Sequence, residues 1–319
     1  MKETTEKIRI GISACLLGQN VRYDGGHQQD RYITDTLGRW FEWAPVCPEV
    51  EYGLPIPREA MRLVGDPQSP RLLTIKSRMD HTDGMLAWAD GRLKSLAEER
   101  LCGFIFKSRS PSSGMAAVKV YNEAGSAVKK GVGIFAGAFM KRFPLLPCEE
   151  DGRLNDAVLR ENFIERIFAY RRWRDYESRD GSLGGLVSFH SDHKLLILSH
   201  SPRHLTALGR LCAVAERMPL PKRRADYVAL LMEALRFTAT AAKQTNVLEH
   251  IAGYFKTRLT AEEKKELREC IALYHRGLVP LVVPITLLKH YVRLQGEPYL
   301  ERQVYLQPHP VELMLRNHA

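Results

Sequence analysis

The chain has no long hydrophobic run. Its first ten residues, Met1 to Ile10, are polar and charged and hold no apolar signal-peptide core. The most apolar later stretch, Gly277 to Leu288, is too short to cross a bilayer and contains Pro280 and Pro284. No basic amphipathic anchor stands out either. A secreted or membrane-bound protein is therefore not expected, and the expected compartment is the cytoplasm. The cysteines are Cys15, Cys47, Cys102, Cys148, Cys212 and Cys270, and no two have CxxC spacing, so a zinc knuckle is not indicated. In a cytoplasmic chain they should be reduced. The chain also lacks an HExxH signature, an internal repeat and any low-complexity segment. Nothing marks an obligate protein partner.

What is present is ordinary in amount and uneven in placement. At 319 residues, 45% hydrophobic and 26% charged, the chain has the composition of a globular protein of one to three domains. Its formal net charge is +10, which favours an anionic partner, nucleic acid ahead of a membrane surface. Before Asp151 there are 21 Lys and Arg against 18 Asp and Glu; from Asp151 onward there are 26 against 19. Nine of the eleven histidines fall in this second part.

The first half reads as strands alternating with helices. Ile8 to Ser13, Trp43 to Cys47 and Gly103 to Lys107 have the character of short buried strands. Thr34 to Phe41 and Trp88 to Leu101 have helical spacing. This order predicts an α/β, Rossmann-like parallel sheet with helices on both faces, and such sheets bind ligands at the carboxyl ends of their strands. Cys15, Cys47 and the turn Ser110-Pro111-Ser112-Ser113-Gly114 each follow a predicted strand, so three polar turns should share one rim. Phe143 to Glu150, with two prolines and then acidic residues, begins the predicted linker. Beyond it, Asp156–Arg174, Ser188–Ser199, Arg223–Ala241, Asn246–Phe255 and Thr260–Arg276 show helical periodicity. Thr260 with Glu263 is a capping-box pattern. The expected organisation is a sheet domain over 1–147, a linker over 148–159 and an all-α domain over 160–319.

Three motifs stand on that rim: Ser13-Ala14-Cys15-Leu16-Leu17-Gly18 with Val21-Arg22-Tyr23-Asp24-Gly25; Val46-Cys47-Pro48-Glu49 continuing to Gly53-Leu54-Pro55-Ile56-Pro57-Arg58; and Phe106-Lys107-Ser108-Arg109-Ser110-Pro111-Ser112-Ser113-Gly114. Together they resemble the 2-thiouracil desulfidase family over roughly Ile8 to Pro147. The resemblance implies a [4Fe-4S] cluster held by three cysteines, with the fourth iron open to the sulfur of a thiolated pyrimidine. Carried over by position, Cys15 and Cys47 are cluster ligands, Glu49 is the acid/base and Ser110 is a hydroxyl near the substrate. Taken singly, a cysteine is more often a small core residue, Glu49 a surface carboxylate or helix cap, and Ser110 the start of a turn. The joint occurrence of all three motifs outweighs those readings.

The third cluster cysteine is absent. The family's turn reads S-P-S-C-G, and this chain has Ser113 in that place. A hydroxyl is a harder and far less acidic ligand than a thiolate, so cluster affinity should fall. Cys102, at the opposite end of the predicted strand, is a poor substitute. Three explanations stand: an engineered Cys-to-Ser form, a natural variant with a serine ligand, or a domain that has lost its cluster. The intact remainder of the motifs favours the first.

The second half resembles a YbgA-like helical domain over most of residues 160–319. The resemblance lies in Phe189 to Ser201, Thr245 to Lys256, Pro280 to Tyr291 and Tyr305-Leu306-Gln307-Pro308. Fused to a desulfidase domain, it implies a protein that converts 4-thiouridine in tRNA to uridine, with the helical domain gripping the RNA. Lys and Arg supply phosphate contacts, and His and aromatic rings stack on exposed bases. His190, Lys194, His200, Lys256, Lys289 and His290 are the candidates, though each alone is more often a surface residue or a helix partner. The rival functions are desulfuration of free thiouracil or another small thiolated pyrimidine, and cluster-free RNA binding.

Overall fold

Alternating isoleucines build the first strand. In the computed structural model, which describes residues 6–213 and 218–317, Ile8, Ile10 and Ile12 are buried in β1 (Ile8–Ser13). The chain divides into two units between Asp156 and Ala157. The first unit continues with β2 (Phe41–Val46), β3 (Met61–Val64), β4 (Arg71–Thr74), β5 (Phe104–Phe106), β6 (Val118–Tyr121), β7 (Ala127–Gly131) and β8 (Cys148–Glu150). Its helices are α1 (Pro48–Glu51), α2 (Thr82–Glu98) and α3 (Ile134–Arg142). One sheet runs in the order β2-β1-β5-β8, and every pairing in it is parallel, as expected for the α/β class. The lack of a side chain at Gly11 lets the Phe104 ring lie across β1, since a Cβ there would sit 2.2 Å from that ring. Phe104, Phe106, Phe135 and Phe139 then stack in one buried cluster with Ala89, Leu93 and Leu96 of α2. Each such ring contributes about 1.5–3 kcal/mol by leaving water.

Three local features depart from the sequence expectation. Thr34–Phe41 is not one helix: a wide turn over Tyr32–Thr36 and a tight one over Leu37–Arg39 lead straight into β2, where Phe41 is buried. A second sheet, ordered β4-β3-β6-β7, was not anticipated; it joins two antiparallel hairpins through a parallel β3–β6 pairing. Residues 148–159 are also not a linker throughout. Cys148–Glu150 pairs with Phe104–Phe106 as the sheet's edge strand. The two acidic residues that suggested a solvated connection are buried, Glu149 against Arg153 and Glu150 against the Met115 and Ala116 amides.

The second unit is helical, as expected: α4 (Ala157–Arg179), α5 (Leu183–His200), α6 (Pro202–Ala213), α7 (Leu220–Ala234), α8 (Ala241–Gly253), α9 (Ala261–His275) and α10 (Val282–Gln295). Trp173 stacks on Tyr227 and meets Phe189 edge-on, tying α4, α5 and α7 together. The Thr260–Glu263 capping box starts α9, each side chain accepting from the other residue's amide. Helix α7 stops at Ala234, short of the expected Ala241, because Thr240 caps a new helix by accepting from the Lys243 amide. Among the described residues no helix is long and apolar enough to cross a membrane.

Candidate active site

Three turns meet at the carboxyl ends of the parallel strands. Cys15 lies in the tight turn Ala14–Leu17 directly after β1. Cys47 follows β2 and caps α1, whose first residue, Pro48, has no amide to satisfy. The Ser110–Gly114 turn follows β5. Cys15, Cys47, Glu49, Ser110 and Ser113 all line one cavity of about 340 Å³, so the five residues expected on the rim do come together.

The Ser110 turn is held from both sides. The Ser110 hydroxyl accepts from the Ser113 amide at 3.1 Å and the Ser112 amide at 3.3 Å, which locks the turn from within. From behind, the Phe135 amide at the start of α3 donates to Ser112 O at 2.9 Å, and the Gly133 amide donates to Gly114 O at 2.8 Å. That contact requires glycine: a Cβ on Gly133 would lie 2.6 Å from the carbonyl carbon and oxygen of Ser112. Gly133→Ala is expected to push the turn into the cavity and destabilise the protein by about 1–3 kcal/mol. A denaturant melt checks the second effect, and an unchanged midpoint would refute it.

Charge is arranged around the two thiols. Burial pushes the Cys15 thiol up to about 11, with Lys107 pulling the other way and Cys47 adding to the rise. Burial likewise raises Cys47, against the pull of the Val50 amide. Both are therefore neutral thiols in the metal-free protein and must release protons to bind metal. Glu49 is engaged on both oxygens. Arg58 pairs with Oε2 at 2.6 Å, and the Ser112 hydroxyl donates to Oε1 at 2.8 Å. The pair is largely sequestered, with side-chain exposures of 14% and 5% for Glu49 and Arg58. Arg58 also donates to Val21 O at 2.8 Å, so one guanidinium ties the second motif to the first. Across the cavity, the Lys107 ammonium meets Asp151 at 2.7 Å, and the Lys107 amide donates to the Ser13 hydroxyl at 2.9 Å. Burial opposes the ionisation of Asp151, but Lys107 and the Ser108 amide outweigh it and hold the carboxyl below its usual range.

Sequence reasoning missed several of these residues. Arg58 and Lys107 were inside the motifs but carried no role, and Ser112 was passed over for Ser110. Asp151 and Glu150 were taken for linker, and their one signal was acidity immediately after an apolar segment. Cys102 is buried just before β5, away from the rim. Two sulfur donors, Cys15 and Cys47, thus line the cavity together with several hydroxyls, among them Ser110, Ser112 and Ser113. The two thiols are donors of the kind iron–sulfur clusters take, Ser113 is a harder oxygen donor on the same cavity, and among the described residues no third His, Cys, Asp or Glu completes a metal-binding group there.

In the second unit the six RNA candidates separate. Lys194, Lys256 and His290 are exposed. His190 is half-buried, with Nδ1 3.1 Å from the Tyr227 hydroxyl, and burial lowers its pKa. Lys289 donates to Gln307 Oε1 at 2.8 Å. His200 has to be withdrawn as an RNA contact. It is 2% exposed, with Nδ1 on Phe237 O and Nε2 3.3 Å from Glu165. His200 and His204 are spaced four apart but fall on either side of the break between α5 and α6. His204 turns to Ser201 and Glu233, so the spacing makes no metal pair.

The comparisons with known proteins agree with this division. Residues 10–151 match the family model described as 2-thiouracil desulfurase, and residues 194–310 match one described as a protein of unknown function, DUF1722. The uncharacterized protein YbgA of Escherichia coli (strain K12) is 31% identical over 158 residues, covering 49% of this chain and 94% of that protein. A solved structure described as a [4Fe-4S]-dependent thiouracil desulfidase, TudS, is 29% identical. It aligns over 47% of this chain and 95% of its own, with a TM-score of 0.38. The chain therefore belongs to the family of YbgA and joins a 2-thiouracil desulfurase domain at its N-terminus to a C-terminal DUF1722 domain.

Proposed function

We propose that the protein is an iron–sulfur-dependent desulfidase that converts 4-thiouridine in tRNA to uridine. The observation that carries this reading is the meeting of Cys15, Cys47, Ser113 and the Glu49–Arg58 pair in one cavity of a 2-thiouracil desulfurase domain. Cys15 and Cys47 would hold a [4Fe-4S] cluster as thiolates, with Ser113 at the third position. When bound, the cluster supplies a Lewis-acidic iron for the substrate's sulfur. Water adds its oxygen to the carbon that bears sulfur, the C–S bond breaks, and the sulfur leaves as sulfide. Glu49, fixed by Arg58 and the Ser112 hydroxyl, takes a proton from that water. Ser110, whose hydroxyl accepts two amides and meets the Ser112 hydroxyl at 3.0 Å, shapes the turn and is the hydroxyl near the substrate.

The substrate is assigned from the second unit. A free base needs no helical platform, whereas RNA needs cations that are not tied up internally. Lys194 and Lys256 are exposed and the unit is basic. The test is to load the full chain with iron and sulfide under anaerobic conditions and supply tRNA bearing 4-thiouridine or free 2-thiouracil. Products are then measured by mass spectrometry. Uridine should appear in tRNA as 4-thiouridine disappears, faster than uracil forms from the free base. Activity on the free base alone would favour the small-molecule reading, and tRNA binding by a chain that takes up no iron would favour cluster-free RNA binding.

A further inference from the structure

We infer that the groove between α8 and α9 is the surface on which the helical unit takes an RNA strand. This inference rests on RNA being that unit's partner and fixes where the partner lies. The groove encloses about 750 Å³, and its cationic lining is Lys256, Lys264 and Arg268, with His275 at one end and Glu249 as its acidic residue. None of the three cations has a carboxylate partner among the described residues; Arg268 only donates its Nε to Lys264 O. Elsewhere in the same unit arginines are commonly consumed by carboxylates, as Arg171 is by Asp175 and Arg258 by Glu297. Lys264, Arg268 and His275 are spaced four and then seven apart, so they share one face of α9 and span about 16 Å along a helix rising about 1.5 Å per residue.

The floor decides between an RNA strand and a protein segment. Leu259, Leu267 and Ile271 line the groove but are already 5%, 2% and 3% exposed, so no large apolar side chain is left to anchor a docked helix. The surface offered instead is Ala242, Ala252, Gly253 and Ala272, and a Cβ added at Gly253 would meet nothing within 4 Å. Small residues below and unpaired cations beside them suit close approach by a sugar–phosphate backbone. The groove also differs from the surface expected from sequence, sharing with those candidates only Lys256.

The test measures binding of fluorescently labelled tRNA to the full chain across a salt series. It compares the native chain with Lys256→Gln/Lys264→Gln/Arg268→Gln, with Arg268→Gln alone and with Lys222→Gln, an exposed cation on α7 outside the groove. Removing three phosphate contacts should lower affinity on the order of tenfold or more at moderate salt and make the slope of log K against log salt shallower by about 2–3. Arg268→Gln should give about a third of that slope change with an unaltered circular dichroism spectrum, and Lys222→Gln should give none. If the triple variant binds tRNA as the native chain does, the groove is not the site and the RNA is held through another face. If the native chain does not bind tRNA at all, the RNA reading falls and the groove assignment falls with it. If the native chain self-associates on a sizing column and the triple variant does not, the occupant is a second copy and the inference is overturned.

Discussion

Ser113→Cys is expected to raise the iron held after anaerobic reconstitution toward about four per chain and to raise desulfidase turnover at least tenfold over the native chain. The backbone at position 113 is already in place for a ligand. Its amide is fixed on Ser110, its neighbour's carbonyl accepts from α3, and the residue is 4% exposed on the cavity wall. Exchanging oxygen for sulfur there changes the donor's softness and acidity while leaving that support intact. A thiolate is the usual ligand of such clusters, and an alkoxide must be generated from a group that scarcely ionises near neutral pH. The measurements are iron and acid-labile sulfide per chain, the cluster absorption band, and 4-thiouridine remaining in tRNA. Equal iron and equal turnover in both forms would make Ser113 a competent ligand. No iron in either form would remove the cluster from the proposed function.

Glu49 separates chemistry from cluster binding in that experiment. It touches Arg58 and Ser112 rather than either thiol in any hydrogen bond described, so a change in iron content and a change in proton handling can be told apart. The two turns it joins come from β2 and β5, which are not neighbours in the sheet. The site therefore depends on the whole parallel sheet keeping its register.

The parts of this architecture visible in the sequence are those with local signals. β1 and β5 are short apolar runs ending in polar turns, the α9 start is a four-residue capping pattern, and the three motifs sit at strand ends because chemistry is placed there. The second sheet was invisible for an equally local reason. Its strands are four or five residues long and carry Arg62, Arg71, Lys119, Lys129 and Lys130, so they lack an apolar run. Long-range partners were also hidden. Asp151 meets a lysine 44 positions earlier, and His200 meets a glutamate 35 positions earlier. His200 accordingly looked like a surface ring near a helix end, when its neighbours bury it.

Acidification from pH 7 to 3.5 is expected to unfold the helical unit well before simple surface titration would. His193 is fully enclosed, stacked on Phe189 with its Nδ1 on Phe189 O. Burial, then Arg172, pushes it down to about 3 from an ordinary 6.5. Burial and then Arg316 push His309 down to about 4. A histidine whose folded pKa is depressed contributes stability that is present above 6.5 and is lost as pH falls toward its folded value, because the unfolded chain takes up the proton first. Glu161 acts in the opposite sense. Burial raises it to about 7 against the pull of Arg316, so its protonation favours the folded unit as pH falls from 7 to 4.5. Two histidines outweigh one glutamate, leaving a net loss on the order of 2 kcal/mol by pH 4.5. Below 4.5 the sign is no longer contested. Glu165, which burial opposes but His200 holds ionised down to about 2, begins to lose its contribution as well, and the net loss reaches several kcal/mol by pH 3.5. Helical circular dichroism followed during thermal melts at half-unit pH steps measures this, since α4 to α10 dominate that signal. The melting temperature should fall gently to pH 4.5 and steeply below it. His193→Gln should flatten the gentle part, and a profile level from pH 7 to 4 would mean that these histidines accept protons without the unit opening.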